Sequence, residues 1–195
     1  NEYASRMERL QEAMRERKLD AVLLFSQESM YWLTGYDTFG FCFFQSLVVK
    51  SDGSMVLLTR SADLRQARHT SIIENIVVWT DRADANPAFD LRNLLSDLGL
   101  LGMKIGVEYQ THGLTAANGK RLDEQLNTFA ALSDFSGIID ALRAVKSSAE
   151  IEKVRRAAEL GDAALERAVP LIKAGADEGD ILAAMHAAIF EGGGD

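Results

Sequence analysis

Hydrophobic and polar positions recur along this chain with two periods, and the switches between them mark the elements. Tyr3, Met7, Leu10 and Met14 repeat at three- and four-residue spacing with charges between them, which predicts an amphipathic helix. Residues 21–25, AVLLF, are a short unbroken apolar run of the kind that makes a strand buried on both faces. Two further runs, QSLVVK and SMVLLT, flank Ser51, Asp52 and Gly53, and Asp-Gly supplies the positive φ that a hairpin turn needs. A polar helix is expected near 62–69, a strand over Ile76–Trp79, a helix over 87–98, a strand over 104–108, a helix over 115–125 and a last strand over 129–132. Six strands alternating with helices, one hairpin among them, predict an α/β fold with a six-stranded mixed sheet flanked by helices.

The pattern changes after Ser147. No strand period follows, only two helices. Ser147 with Glu150 three residues on is a capping box, in which each side chain satisfies a free N–H of the first turn. Ile151, Val154, Ala158, Gly161, Leu165, Ala168 and Ile172 then predict a narrow apolar seam. Pro170 should kink or end the regular hydrogen bonding, Gly175 should be the C-terminal stop, and Asp177 should cap a final helix, Glu178–Glu191. Two helices with such a seam need a surface to bury it; the first domain could provide one, but the GGGD tail that follows closes nothing. The expected organisation is an α/β domain over 1–142 and, over 143–195, the helical beginning of a second domain that is cut short.

Composition narrows the class. Of the 195 residues, 47% are hydrophobic and 26% charged, an ordinary globular balance. The net charge of −8 argues against nucleic acid, whose backbone needs a basic face. Cys42 is the single cysteine, so no intrachain disulfide and no thiolate metal cluster can form. No apolar run approaches the roughly 18 residues of a membrane span, and the default expectation is a cytoplasmic protein without membrane attachment.

Catalytic motifs are absent. There is no Gly-x-Ser-x-Gly elbow, no phosphate loop (Gly119-Lys120 lacks its upstream glycine) and no His-Glu-x-x-His helix. His69 ends a polar helix and reads as a solvated residue, and His186 lies among alanines. His112 follows the strand at 104–108, on the side of a sheet where α/β proteins place ligands, and is therefore a candidate site residue. None of the three has carboxylates at ligand spacing, so neither a catalytic residue nor a metal ligand is assigned in this chain. One segment stands out: YWLTGYDTFGFCFFQ packs seven aromatic residues into the fifteen positions 31–45. These rings could be core plus loop, or an aromatic patch offered to a substrate or another subunit. Alternation along a strand cannot bury Phe39, Phe41, Phe43 and Phe44 on one face, so some rings should look outward, with Phe44 the first choice for the core.

The order of elements, the YWLTGY segment after the first strand, and the stretch RAVKSSAEIEKVRRAAELGDAALERAV resemble the creatinase/prolidase/aminopeptidase P superfamily, the pita-bread hydrolases. The family junction, Arg-x-x-Lys-x-x-x-Glu-Ile-x-x-x-Arg-x-Ala, has its counterparts in Arg143, Lys146, Glu150, Ile151, Arg155 and Ala157. The resemblance spans essentially the whole chain and implies that residues 143–195 open the catalytic domain. It implies two divalent ions (Mn, Co or Zn) in the full-length protein, held by residues that follow this chain, and a homodimer in which the loop over 36–45 helps close the partner's active site. On that resemblance Tyr36, Asp37, Phe39, Phe41, Phe43 and Gln45 should form a partly exposed substrate-binding patch, with His112 as a further candidate. Phe41 falls where creatinase has a substrate-contacting phenylalanine, and Phe43 where it has a substrate-binding arginine. A phenyl ring cannot pair with a carboxylate, which counts against creatine. The resemblance therefore points to the dimerising, active-site-closing part of an Xaa-Pro aminopeptidase or prolidase-like metallopeptidase acting on small peptides. A creatinase-like hydrolase of another small amide or amidine is the alternative, and a non-catalytic interaction module the second.

Overall fold

The computed structural model describes residues 2–194, which divide into two compact units between Ala144 and Val145. In the first, the element order is α1 (Glu2–Arg17), β1 (Ala21–Leu24), α2 (Gln27–Thr34), β2 (Ser46–Lys50), β3 (Met55–Arg60), α3 (Leu64–Thr70), β4 (Ile76–Trp79), α4 (Pro87–Asp97), β5 (Lys104–Val107), α5 (Ala116–Leu126), β6 (Ala131–Asp134) and α6 (Ile138–Ala144). The six strands form one sheet in the order β4-β3-β2-β1-β5-β6. Only β2 is antiparallel to its neighbours; every other pairing is parallel. This is the expected α/β fold with a mixed sheet.

Alternation along the central strands builds two cores. Ala21, Leu23 and Val48 face one way and pack with Leu91, Leu94 and Leu95 of α4 and Leu122 and Leu126 of α5. Val22, Leu24, Leu47 and Val49 face the other way and pack with Leu10 and Met14 of α1, Leu33 of α2 and Ile139 of α6. The run AVLLF is apolar throughout because both faces of β1 are covered, as its sequence predicts. The β2–β3 turn has Gly53 at φ 87°, with Asp52 Oδ1 accepting from the Ser54 N–H at 2.9 Å.

Three elements differ from expectation. Helix α2 was hidden in the aromatic run, and α6 in a short stretch after the last strand. Strand β6 begins two residues later than predicted, because Phe129 is spent on the turn after α5: its N–H donates to Leu126 O at 2.9 Å and its ring is buried in the α4–α5 core.

The second unit consists of α7 (Ser148–Ala168) and α8 (Glu178–Glu191). The capping box at Ser147 is present in both directions, with Glu150 Oε2 accepting from Ser147 N at 2.8 Å and Ser147 Oγ from Glu150 N at 3.1 Å. Asp177 caps α8 through the Gly179 N–H at 2.7 Å. The predicted seam is a different stripe from the one that packs. Of its members only Ala168 is buried; Ile151, Val154, Leu165 and Ile172 are exposed, Leu165 by 59%. Helix α8 packs against α7, Ala164 and Ala168 of α7 and Ala188 of α8 are buried, and Arg167 pairs with Glu191 at 2.7 Å. With so little apolar surface buried, the amides of Ile151, Val154 and Leu165 are expected to exchange through openings well below the global unfolding free energy, while those of Val22, Leu23 and Leu24 wait for global unfolding. Hydrogen exchange showing equal protection for the two sets would contradict this. Among the described residues no helix is long and apolar enough to cross a membrane.

Candidate functional site

Because β2 alone runs against the other five strands, their carboxyl ends share one edge of the sheet, and the chain enters β2 from that edge. Residues 36–45 occupy this entry, where open α/β sheets place their ligands.

The loop is built in two layers, and the buried one is polar. Tyr36 is fully buried, and its hydroxyl donates to Gln45 Oε1 at 2.6 Å and lies 3.3 Å from Thr59 Oγ1. Gln45 Nε2 in turn donates to Gly40 O at 2.7 Å. Thr38 Oγ1 accepts from the Gly40 N–H at 2.8 Å and donates to Asp63 Oδ1 at 3.3 Å, and Arg60 Nε donates to Asp63 Oδ2 at 3.0 Å. A Cβ on Gly40 would stand 2.3 Å from Gln45 Nε2 and 2.6 Å from Asp63 Cγ, so a larger residue would displace the side chains of this base. Burial pushes the Tyr36 phenol above its ordinary pKa, and the carboxylate of Asp63 adds to the rise, so it acts as a neutral hydroxyl. Each of these groups finds a partner within the loop or its supports, which fixes the loop backbone far more tightly than its exposed position would suggest.

The outer layer is aromatic. Phe39 is 87% exposed, Phe41 47% and Phe43 41%. Phe43 stands over the Arg60 guanidinium, 3.4 Å from ring centroid to Cζ, and Arg60 also pairs with Asp81 at 3.4 Å. Asp37 is exposed, with its N–H donating to Thr70 Oγ1 at 3.0 Å. Phe44 points inward, edge-on to Phe25 with ring centroids 5.4 Å apart. Of the six residues expected in a partly exposed patch, two are buried. Tyr36 and Gln45 lie beneath the patch, because their polar atoms are satisfied by each other. Asp37, Phe39, Phe41 and Phe43 are the exposed members.

His112 is exposed in the turn after β5. A Cβ on the adjacent Gly113 would lie 3.6 Å from Phe41 O and 2.1 Å from Phe25 O, so this turn abuts the aromatic loop. Glu28 belongs to the same neighbourhood. The Ser26 hydroxyl, donating at 2.6 Å, holds its carboxyl below the ordinary range, with lesser help from Arg143 and His112.

Sequence reasoning missed Glu108, Arg60 and Asp63. Glu108 is buried and accepts from Phe25 N at 2.9 Å, Ser26 N at 2.8 Å and Ser29 Oγ at 2.5 Å, tying the end of β5 to the start of α2. The one signal available was a carboxylate ending an apolar strand. Among the described residues no group of three or more His, Cys, Asp or Glu could hold a metal ion. The described side chains thus offer no set of ligands for a dinuclear centre, which the family resemblance assigns to residues outside this chain.

Comparison with known proteins agrees with this architecture. The model of the Creatinase/Prolidase N-terminal domain matches residues 6–145. The chain is 26% identical over 198 residues to an ectoine hydrolase of Halomonas elongata, covering 98% of this chain and 49% of that protein. It is 27% identical over 198 residues to an uncharacterized hydrolase/peptidase of Sinorhizobium fredii, covering 98% and 50%. Among solved structures, a prolidase from Thermococcus sibiricus superposes with a TM-score of 0.80 at 18% identity, covering all of this chain and 51% of that one. An Xaa-Pro dipeptidase from Bacillus anthracis superposes at 0.74 and 21% identity, covering 97% and 49%. The chain thus spans about half the length of the curated relatives it matches. With a match over most of its length and the fold to go with it, this chain belongs to the Creatinase/Prolidase N-terminal domain family.

Proposed function

We propose that the chain is the dimerising, active-site-closing part of a cytoplasmic metallopeptidase of the prolidase or Xaa-Pro aminopeptidase type, and that residues 143–195 begin its pita-bread catalytic domain. The observation that carries this reading is the two-layered loop: Phe39, Phe41 and Phe43 face outward from a buried hydrogen-bonded base at the carboxyl edge of the sheet. Exposed rings on a stiff support lose little freedom when they are covered, which is what a surface that closes over a small substrate requires. In this reading Phe41 and Phe43 contact a small peptide bound in the partner subunit, with Asp37 and His112 at the margin. The chemistry itself is supplied by two divalent ions held outside this chain.

The ectoine hydrolase of Halomonas elongata supports a second reading, a hydrolase of a small cyclic amidine. The cation stacked on Phe43, Arg60, is already paired with Asp63 and Asp81, so the loop offers apolar contact more readily than carboxylate binding.

Assays of the full-length protein loaded with Mn²⁺, Co²⁺ or Zn²⁺ separate the readings. Cleavage of Xaa-Pro di- and tripeptides is the expected result. Cleavage of ectoine without peptidase activity would favour the second reading, and turnover of neither would reduce the protein to an interaction module. Residues 1–195 alone are expected to cleave neither substrate and to show no stoichiometric metal uptake by calorimetry; one tight, saturable site would contradict this.

A further inference from the structure

The far edge of the sheet carries a surface that the aromatic loop does not use. Strand β4 is the outermost strand on that side. Asn75 O accepts from the Leu57 N–H at 3.0 Å, so the parallel ladder turns the amides of Val77 and Trp79 toward β3. The N–H and C=O groups of Ile76, Val78 and Thr80 consequently face away from the sheet. Edge strands are normally blunted by proline, an inward charge or a bulge. This one reads IVVW, has none of these, and keeps an unbroken register from Ile76 opposite Leu57 to Trp79 opposite Arg60.

Beside the edge lies a cleft of about 480 Å³ between β4 and α4. Trp79 and Leu94 are buried at its base, Val77 is 39% exposed, and Phe89 of α4 is 46% exposed. The charged side chains that line it are Asp84, Asp90, Asp97 and Arg82, and the arginine is already paired with Asp84 at 3.0 Å. The cleft is therefore apolar along its base and anionic along its rim.

We propose that this edge binds an extended basic polypeptide segment, which adds to β4 as a further strand of the sheet. Its backbone would pair with the outward groups of Ile76, Val78 and Thr80. Side chains on its cleft-facing side would alternate between apolar groups over Val77 and Phe89 and lysine or arginine beside Asp90 and Asp97. Charge complementarity selects this occupant over a second copy of the chain. Pairing β4 with β4 would bring two sets of the same carboxylates together in a protein of net charge −8.

The probe is a peptide whose alternate positions carry lysine and valine, Ac-Lys-Thr-Val-Thr-Lys-Thr-Val-Thr-Lys-NH2, compared with its counterpart bearing glutamate for lysine. The lysine peptide is expected to bind saturably in calorimetry, about tenfold or more tighter than the glutamate one, and to shift the amide resonances of Val78 and Thr80. Asp90→Asn with Asp97→Asn should weaken binding about tenfold with the circular dichroism unchanged. Val78→Pro removes an outward N–H that an edge strand can spare, and should abolish binding in a protein that still folds. Absence of saturable binding, equal binding of the glutamate peptide, or binding that survives Val78→Pro would overturn the proposal. So would sedimentation showing a dimer of this protein that Val78→Pro dissociates, since the occupant would then be a second copy.

Discussion

Glu108→Ala is expected to be among the most damaging single changes in this chain, costing about 3–5 kcal/mol. The carboxylate is buried and has three donors, two of them the backbone amides of Phe25 and Ser26, which lose this acceptor when the side chain is cut back. Ser26, at the start of α2, makes no side-chain cap of its own, and Glu108, just past β5, holds the Phe25 and Ser26 amides that lead into the helix. Each unsatisfied buried amide costs about 1–3 kcal/mol, and the cavity adds to it. At roughly 2–4 °C per kcal/mol for a chain of this size, the melting temperature should fall by on the order of 10 °C. Glu108→Gln separates hydrogen bonding from charge. The amide oxygen can accept both N–H groups and its NH2 can donate to Ser29, so this variant should stay within about 1.5 kcal/mol of the parent.

The pH dependence of that pair follows from burial. Desolvation pushes the Glu108 carboxyl above its ordinary 4.5, against the pull of its donors. A carboxyl with a raised folded-state pKa binds its proton more tightly in the folded state. Its contribution to stability is full below the unfolded value and is lost as pH rises through the folded one. Glutamine does not titrate. The stability of Glu108→Gln relative to the parent should therefore rise as pH increases from about 4 through the raised pKa, and thermal melts across that range check it. A constant difference, or one that shrinks with rising pH, would contradict the assignment.

How far the sequence could be read depended on whether the determining contacts were local. The Asp-Gly turn at Gly53, the capping box at Ser147 and the bounds of α8 involve residues within four positions of each other, and they stand where their patterns place them. Helix α2 was missed because its apolar residues, Met30, Trp32 and Leu33, run directly into the aromatic loop and blur the helical period. The α7 stripe was misjudged because that helix has apolar residues on two faces, and periodicity cannot choose between them; the α7 residues that are buried are the small ones, Ala164 and Ala168. At the site, the mixture of inward and outward rings was legible from strand alternation. The polar base was not, because Tyr36 depends on Thr59 and Thr38 on Asp63, pairs separated by more than twenty residues.

The second large effect concerns the rings. Phe44→Ala removes a buried ring packed edge-on to Phe25, and should cost about 3–5 kcal/mol. Phe41→Ala should cost well under about 1 kcal/mol in this chain, and Phe43→Ala about 1, the worth of its contact with Arg60. Stability and function should therefore part company along four consecutive positions: the ring that holds the fold is Phe44, and the rings that serve a site are Phe41 and Phe43. Chemical denaturation of the three variants reads the first half of this statement.

Steady-state kinetics of Phe41→Ala and Phe43→Ala in the full-length protein reads the second half, and it is the most direct test of the claim that this loop closes an active site. The expected result is a fall in kcat/KM of about tenfold or more for each, with melting temperatures near that of the parent. Unchanged kcat/KM in both folded variants would contradict the account and leave the aromatic loop without a part in the reaction.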